Sequence, residues 1–235
     1  MVPAASPRLQ LETLFVLNGV GRIVSTREPQ PTPGPAFILI RGASACAWGI
    51  RRDVPDHVAE ELDQLAAQEP ALGSSWRQPP LHAERYRGML GGSRVRSGPA
   101  FEFPDWFRTP APASAPDDGV MSVDDEARLA RHFSGWVAGE ISAGRSPVMA
   151  VAEDAHPVSV CFSARRSAVA AEAGVETAAA FRGRGHAPRV TAAWANAVRG
   201  IGLVPLYSTD WENGPSLAVA RKLELIPFAI DWSIE

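Results

Sequence analysis

The chain has little from which to build a metal centre, a disulfide framework or a membrane span. Only two cysteines, Cys46 and Cys161, occur in 235 residues. They allow at most one disulfide, and they share no metal-like spacing with any histidine. No apolar run is long enough to cross a bilayer. Met1 to Gln10 lack the apolar core of a signal peptide, so a reducing, cytoplasmic setting is expected. Lysine is nearly missing, with Lys222 the single example. A large excess of one sign of charge is missing too: the formal net charge is -3. No global basic field recruits nucleic acid or an anionic surface, and neither partner is expected.

What is present suits a globular α/β protein. Hydrophobic residues make up 46% and charged residues 21%, which allows a core of useful size. The length fits one large domain or two small ones.

The pattern alternates. Leu11 to Val16 and Val20 to Ser25 are strand-like around Asn18-Gly19, a hairpin signal. Ala36 to Arg41 and Ala45 to Arg51 read as strands. Asp53 is placed to cap a helix carrying Val58, Leu62 and Leu65 on one stripe. His82 to Leu90 reads as a short helix. Gly91 to Pro99 and the Pro-rich stretch Pro104 to Pro116 flank a short strand, Ala100 to Phe103. A domain boundary is expected near Ser97, giving units 1–97 and 98–235. Ser122 and Asp125 resemble a capping box opening a helix to about Ser142, with Leu129, Phe133, Trp136 and Val137 on one face. Three strands follow: Pro147 to Ala152, His156 to Ala164 and Ala171 to Thr177. Asp154-Ala155 turns between the first two. Then come a helix (Ala187 to Arg199), a strand (Val204 to Ser208), a helix (Ser216 to Leu223) and a strand (Ile226 to Trp232). There is no internal repeat.

The informative segment is Phe181-Arg182-Gly183-Arg184-Gly185-His186-Ala187, between a strand and a helix. Its glycines permit a tight turn and close approach of a ligand. Backbone N–H groups at the helix start, with the helix dipole, suit a phosphate or pyrophosphate. Arg182 and Arg184 add charge-assisted donors, and His186 can contact phosphate. A P-loop would need Gly-Lys-Ser or Gly-Lys-Thr, and neither is present. A dinucleotide fingerprint would need Gly or Ala three residues after Gly185, and Pro188 stands there.

Arg182, Gly185 and Ala187 fill the pattern Arg/Gln-x-x-Gly-x-Gly/Ala. Here the sequence resembles the GCN5-related N-acetyltransferase superfamily. The upstream strand Glu172 to Thr177, the segment Tyr207 to Trp211, and Asn213-x-x-Ser216 before a helix ending Arg221-Lys222-Leu223 resemble its other motifs. The likeness runs from Val148 to Ile234. It implies a mixed, mainly antiparallel central sheet flanked by helices, with a smaller N-terminal α+β region. It implies acetyl-CoA as acyl donor, no metal, and transfer to a small-molecule or peptide amine by a monomer or homodimer. Residues 1–97 would cover one side of the acceptor site, as a degenerate half of a tandem acetyltransferase.

By the same resemblance the pantetheine arm pairs with backbone near Val175, Thr177 and Ala179, and the pyrophosphate sits on Arg182 to Ala187. Asn213, Ser216 and Arg221 are further cofactor contacts. Glu172 is the first candidate base and Glu176 the second. Alternation puts both on one face and Thr177 on the other. The likeness departs at Ala220, where many members carry a tyrosine acid for the departing thiolate, and at Glu224, where glycine is usual. Tyr207 and Ser208 are the candidates for that acid. The alternative is a non-catalytic acyl-CoA sensor or interaction module. Cys161 fits a packed strand better than a nucleophile. His132 and His156 are expected at the surface, and Trp211 beside an acceptor pocket.

Overall fold

A computed structural model describes residues 4–73, 75–91, 94–105 and 119–235. Most of the Pro-rich stretch Pro104 to Pro116 lies outside them. One sheet of nine strands carries the molecule, in the order β4-β3-β11-β5-β10-β9-β8-β7-β6. The strands are β3 (Phe37–Gly42), β4 (Cys46–Ile50), β5 (Val95–Glu102), β6 (Val120–Ser122), β7 (Val148–Glu153), β8 (His156–Arg166), β9 (Ala170–Thr177), β10 (Val204–Ser208) and β11 (Ile226–Ile234). Every neighbouring pair is antiparallel except β9 and β10. This is the mixed, mainly antiparallel sheet that the motifs imply.

The chain opens differently from expectation. Pro7–Leu14 is a helix, α1, not the start of a strand. The Ser6 hydroxyl accepts a hydrogen bond from the Leu9 N–H at 3.3 Å, and Pro7 fills the first turn. This cap and proline favour a helix, and Leu11 and Leu14 form its buried stripe. Strands β1 (Phe15–Leu17) and β2 (Ile23–Thr26) then form the expected hairpin, apart from the main sheet. Its loop is longer than a two-residue turn. Asn18 Oδ1 accepts from the N–H of Val20 at 3.1 Å and Arg22 at 2.9 Å, and Gly21 supplies the positive φ.

Helices α2 (Asp56–Ala66) and α3 (Ala83–Met89) lie in the N-terminal half. Asp53 does not cap α2; its carboxylate is bound by Arg51 at 2.7 Å. The expected helix from Ser122 to Ser142 does not form. Ser122 ends β6, and Asp125 caps only a single 3-10 turn, Glu126–Arg128. Gly139 and Gly144 adopt positive φ, and one π-turn (Ile141–Arg145) precedes β7. Leu129 and Phe133 are nonetheless buried over β7 and β8, Trp136 packs partly, and Val137 is exposed. The hydrophobic pattern was thus a packing signal without the helix, because glycines interrupt the segment.

The other turns and helices hold. Asp154 and Ala155 both have positive φ, as a tight hairpin turn requires. Helix α4 (His186–Gly200) packs Val190, Trp194 and Val198 against one face of β8, β9 and β10, and α5 (Gly214–Lys222) adds Val219 and Ala220. Helix α1 covers the other face near β9. Ser97 lies inside β5 and is the register partner of Trp232. β11 joins β3 to β5, so the sheet runs without a break across the position where the composition suggested a boundary.

Candidate functional site

The sheet is interrupted in one place by its own geometry. β9 and β10 run parallel only through Val204↔Ala170, Pro205↔Ala171 and Leu206↔Glu172. Beyond that point β10 pairs with β5 on its other side, through Tyr207↔Phe101 and Ser208↔Ala100. Among the described residues, the edge of β9 from Ala173 to Thr177 has no strand partner on that side. A cleft of about 760 Å³ opens in the gap. Its size lies in the range of cofactor sites.

Most of the residues singled out in the sequence meet in this cleft. Val175, Glu176, Thr177 and Ala179 line one side, and Arg182, Gly183, Gly185, His186 and Ala187 its end. Tyr207, Asn213 and Ser216 line the opposite side. Gly183 and Gly185 have φ of 79° and 83°, so the loop turns in the left-handed region that glycine tolerates. No side chain caps α4 at Gly185. The first-turn N–H groups of the helix therefore have no side-chain acceptor at this end.

The charged side chains of the loop are held in place. Arg184 pairs with Glu153 at 3.1 Å and lies 5.0 Å over the Phe181 ring, so it is turned away from the cleft. His186, 7% exposed, has Nε2 3.0 Å from the other Glu153 oxygen, and its buried Nδ1 has no partner. Arg182 Nε donates to the Thr177 carbonyl at 3.2 Å. On α5, the Asn213 side chain accepts from the Ser216 N–H at 3.1 Å, which is the helix cap. Arg221 does not line the cleft; Lys222 does, because the stripe Pro215, Ala218, Val219, Lys222 faces it. His132 was expected at the surface, yet it is half-buried, lines the cleft and meets the Phe181 ring edge-on at 5.5 Å. That contact crosses the fold and left no local signal. Trp211 stacks under Arg77 at 4.4 Å.

Glu172, Tyr207 and Ser208 sit at the parting point, and Glu176 lies four residues further along β9. Ala171 and Ala173 pack towards α4. Glu172, between them, faces α1 and is 5% exposed. Its oxygens make no hydrogen bond of good geometry, although Ser208 and Gln10 lie close enough to act on it. Burial pushes this carboxyl above the usual range, and Ser208 and Arg165 only partly offset it. A β-bulge at Ala164 lies on β8, opposite Ala173 and Glu172, so alternation along β9 is kept. Glu176 is also raised by burial, with Arg145 pulling the other way. Tyr207 lies under α5 and donates its phenol to the Ser216 carbonyl at 3.2 Å; burial pushes it up to about 12. Ser208, the next residue, faces a second cleft instead. Ala220 is buried in α5. Cys161 is fully buried, and burial raises its thiol strongly, so it is packed core and no nucleophile. Among the described residues no group of three or more His, Cys, Asp or Glu could hold a metal, and no helix is long and apolar enough to cross a membrane.

No protein-family model and no curated protein matches the chain. Solved structures do. A GCN5-related N-acetyltransferase-like protein from Streptococcus suis superposes with a TM-score of 0.50 over 86% of this chain and 85% of that one, at 15% identity. A GCN5-related N-acetyltransferase from Sphaerobacter thermophilus aligns over 84% and 76%, at 14% identity and a TM-score of 0.47. A GNAT-family protein from Novosphingobium aromaticivorans aligns over 60% of this chain and 64% of that one, just under two thirds of its length, at 19% identity and 0.46. The chain has the fold of the GCN5-related N-acetyltransferases.

Proposed function

We propose that this chain is an acyl-CoA-dependent N-acyltransferase that moves acetyl from acetyl-CoA to a primary amine by direct attack. The observation that carries this reading is the parting of β9 from β10 immediately before a glycine-turned loop and an uncapped helix start. An unpaired strand edge suits the amide groups of a pantetheine arm, through Val175, Thr177 and Ala179. The α4 N-terminus suits a pyrophosphate. His186 and Lys222 line the same cleft and suit further phosphate oxygens.

In this reading Glu172 receives the amine proton, directly or through water. Its burial favours the protonated form after transfer. Tyr207, which lines the cleft, is the candidate in this reading to give a proton to the departing sulfur, in place of the tyrosine that α5 lacks at Ala220. Glu176 is a second acid–base group nearer the cleft mouth. Ala220 also favours a second reading, a non-catalytic acyl-CoA sensor.

Calorimetric titration with acetyl-CoA tests the site. Wild type is expected to bind in the micromolar range, and an Arg182→Ala, Lys222→Ala double variant at least about tenfold more weakly. A folded wild type that does not bind acetyl-CoA overturns the reading. Release of free thiol over a panel of amines then separates enzyme from sensor.

A further inference from the structure

One carboxylate ties the end of β7 to the loop before α4. Glu153 has one oxygen 3.1 Å from Arg184 Nη1 and the other 3.0 Å from His186 Nε2. The Arg184 side chain is half exposed, so water screens that pair. His186 differs. It is 7% exposed, it is the first residue of α4, and it lines the cleft.

A neutral imidazole carries one N–H. The Glu153 carboxylate can only accept, so that N–H belongs on Nε2, and Nδ1 keeps its lone pair. Nδ1 is buried and, among the described residues, has no partner. A second proton, on Nδ1, would be a buried N–H without an acceptor. It would also place positive charge at the positive end of a helix. An anion at the α4 start removes both objections, since it accepts from Nδ1–H and reverses the local field. The remaining charged neighbours are fixed by the fold. Asp154 and His156 flank Glu153 in the β7–β8 hairpin. Arg182 and Arg184 belong to the loop, and Arg189 follows on α4 itself. Glu176, His132 and Lys222 share the cleft.

We infer that His186 takes up a proton as the pyrophosphate arrives, so that acyl-CoA binding is coupled to proton binding, with Glu153 positioning the ring. The inference rests on the acyltransferase reading. The proton comes from solvent and forms the Nδ1–H bond, while Nε2–H stays with Glu153. No other bond forms or breaks. The imidazolium then donates to a phosphate oxygen where the neutral ring would present a lone pair. The coupling is reciprocal, so the proton raises affinity for the ligand as the ligand raises affinity for the proton. Affinity for acetyl-CoA therefore falls as pH rises through the range in which histidine titrates.

The test is calorimetric titration with acetyl-CoA in buffers of different ionisation enthalpy, from about pH 6 to about pH 9. The dependence of the heat on the buffer gives the protons taken up. The 3′-phosphate of the ligand titrates in the same range, so the quantity read is the difference between wild type and His186→Gln. Wild type is expected to take up more protons than the variant. Its affinity should fall across the range by about tenfold more than the variant's. Glu153→Gln keeps an acceptor for Nε2 without the charge, and its uptake should move to lower pH. Uptake in wild type no greater than in His186→Gln overturns the inference while leaving the acetyl-CoA site standing. So does a profile that Glu153→Gln leaves unmoved, which decides the matter if His186→Gln does not fold. Failure of wild type to bind acetyl-CoA removes the acyltransferase reading and this one with it.

Discussion

At the scale of single residues, the site is organised by burial more than by ion pairing. Glu172 and Asp231 lie near each other, and burial raises both. For Asp231 the consequence for stability has a definite sign. An unfolded aspartate loses its proton near pH 4, whereas the folded one keeps it to about 8. The folded state therefore binds more protons between those values, and stability falls as pH rises through that window. Above it the penalty is fully present. Thermal unfolding of wild type and Asp231→Asn from pH 4 to pH 8 checks this. The variant is expected to lose less stability across the window, by at most about 1.4 kcal/mol per pH unit. Parallel curves would show that Asp231 ionises normally. The sequence pointed to Glu172 by its place on a strand before the loop. It held no pointer to Asp231, since β11 and β9 are separated in the sheet by β5 and β10, and Gln10 of α1 acts on both residues only once the fold is formed.

At the scale of elements, the region after β10 depends on one glycine. The chain leaves β10 and stays against β5, with the Thr209 N–H bonded to the Pro99 carbonyl and the Trp211 N–H to that of Ser97. A Cβ on Gly98 would stand 1.7 Å from the Thr209 carbonyl oxygen, which is backbone and has no side-chain freedom. Gly98→Ala is therefore expected to cost about 1–3 kcal/mol or more and to deform the second cleft, which Gly98 lines. Chemical denaturation reads the first effect. Wild-type stability in that variant would show that the 209–211 segment can retreat. Local signals read the elements from β7 to β11 well, because strand alternation, the Asp154-Ala155 turn and the Asn213 cap each lie within a few residues. They failed at α1, where apolar alternation in Leu11 to Val16 masked the Ser6-Pro7 start. They failed again across Ser122 to Ser142, where apolar spacing persists without a helix that Gly135 and Gly139 disfavour.

At the scale of the whole molecule, the first cleft was legible and the second was not. Arg182 to Ala187 announce their geometry in sequence, since glycines of positive φ and a helix start are local. The second cleft instead draws Phe15, Gly98, Arg165, Ser208 and Asp231 from distant parts of the chain. No spacing rule connects them. The same non-locality hides the relation of the two halves: β11 is hydrogen-bonded to β3 on one side and β5 on the other.

That insertion sets an order of events during synthesis. Phe37 waits for Ile234, and Val95 waits for the same residue. At ribosomal rates of about 5–20 residues per second, the inner edge of β3 stays unpaired for roughly ten to forty seconds after it emerges. Until β11 arrives, β3 and β5 present open edges, of the kind that recruits other chains. Ribosome-bound chains arrested before Ile226 are therefore expected to be cut rapidly by added protease throughout residues 37–102, and chains arrested far enough beyond Ile234 to clear the exit tunnel to resist. Equal resistance would mean that the N-terminal half closes on itself first. Assembly would then need a later opening to admit the strand that carries Asp231.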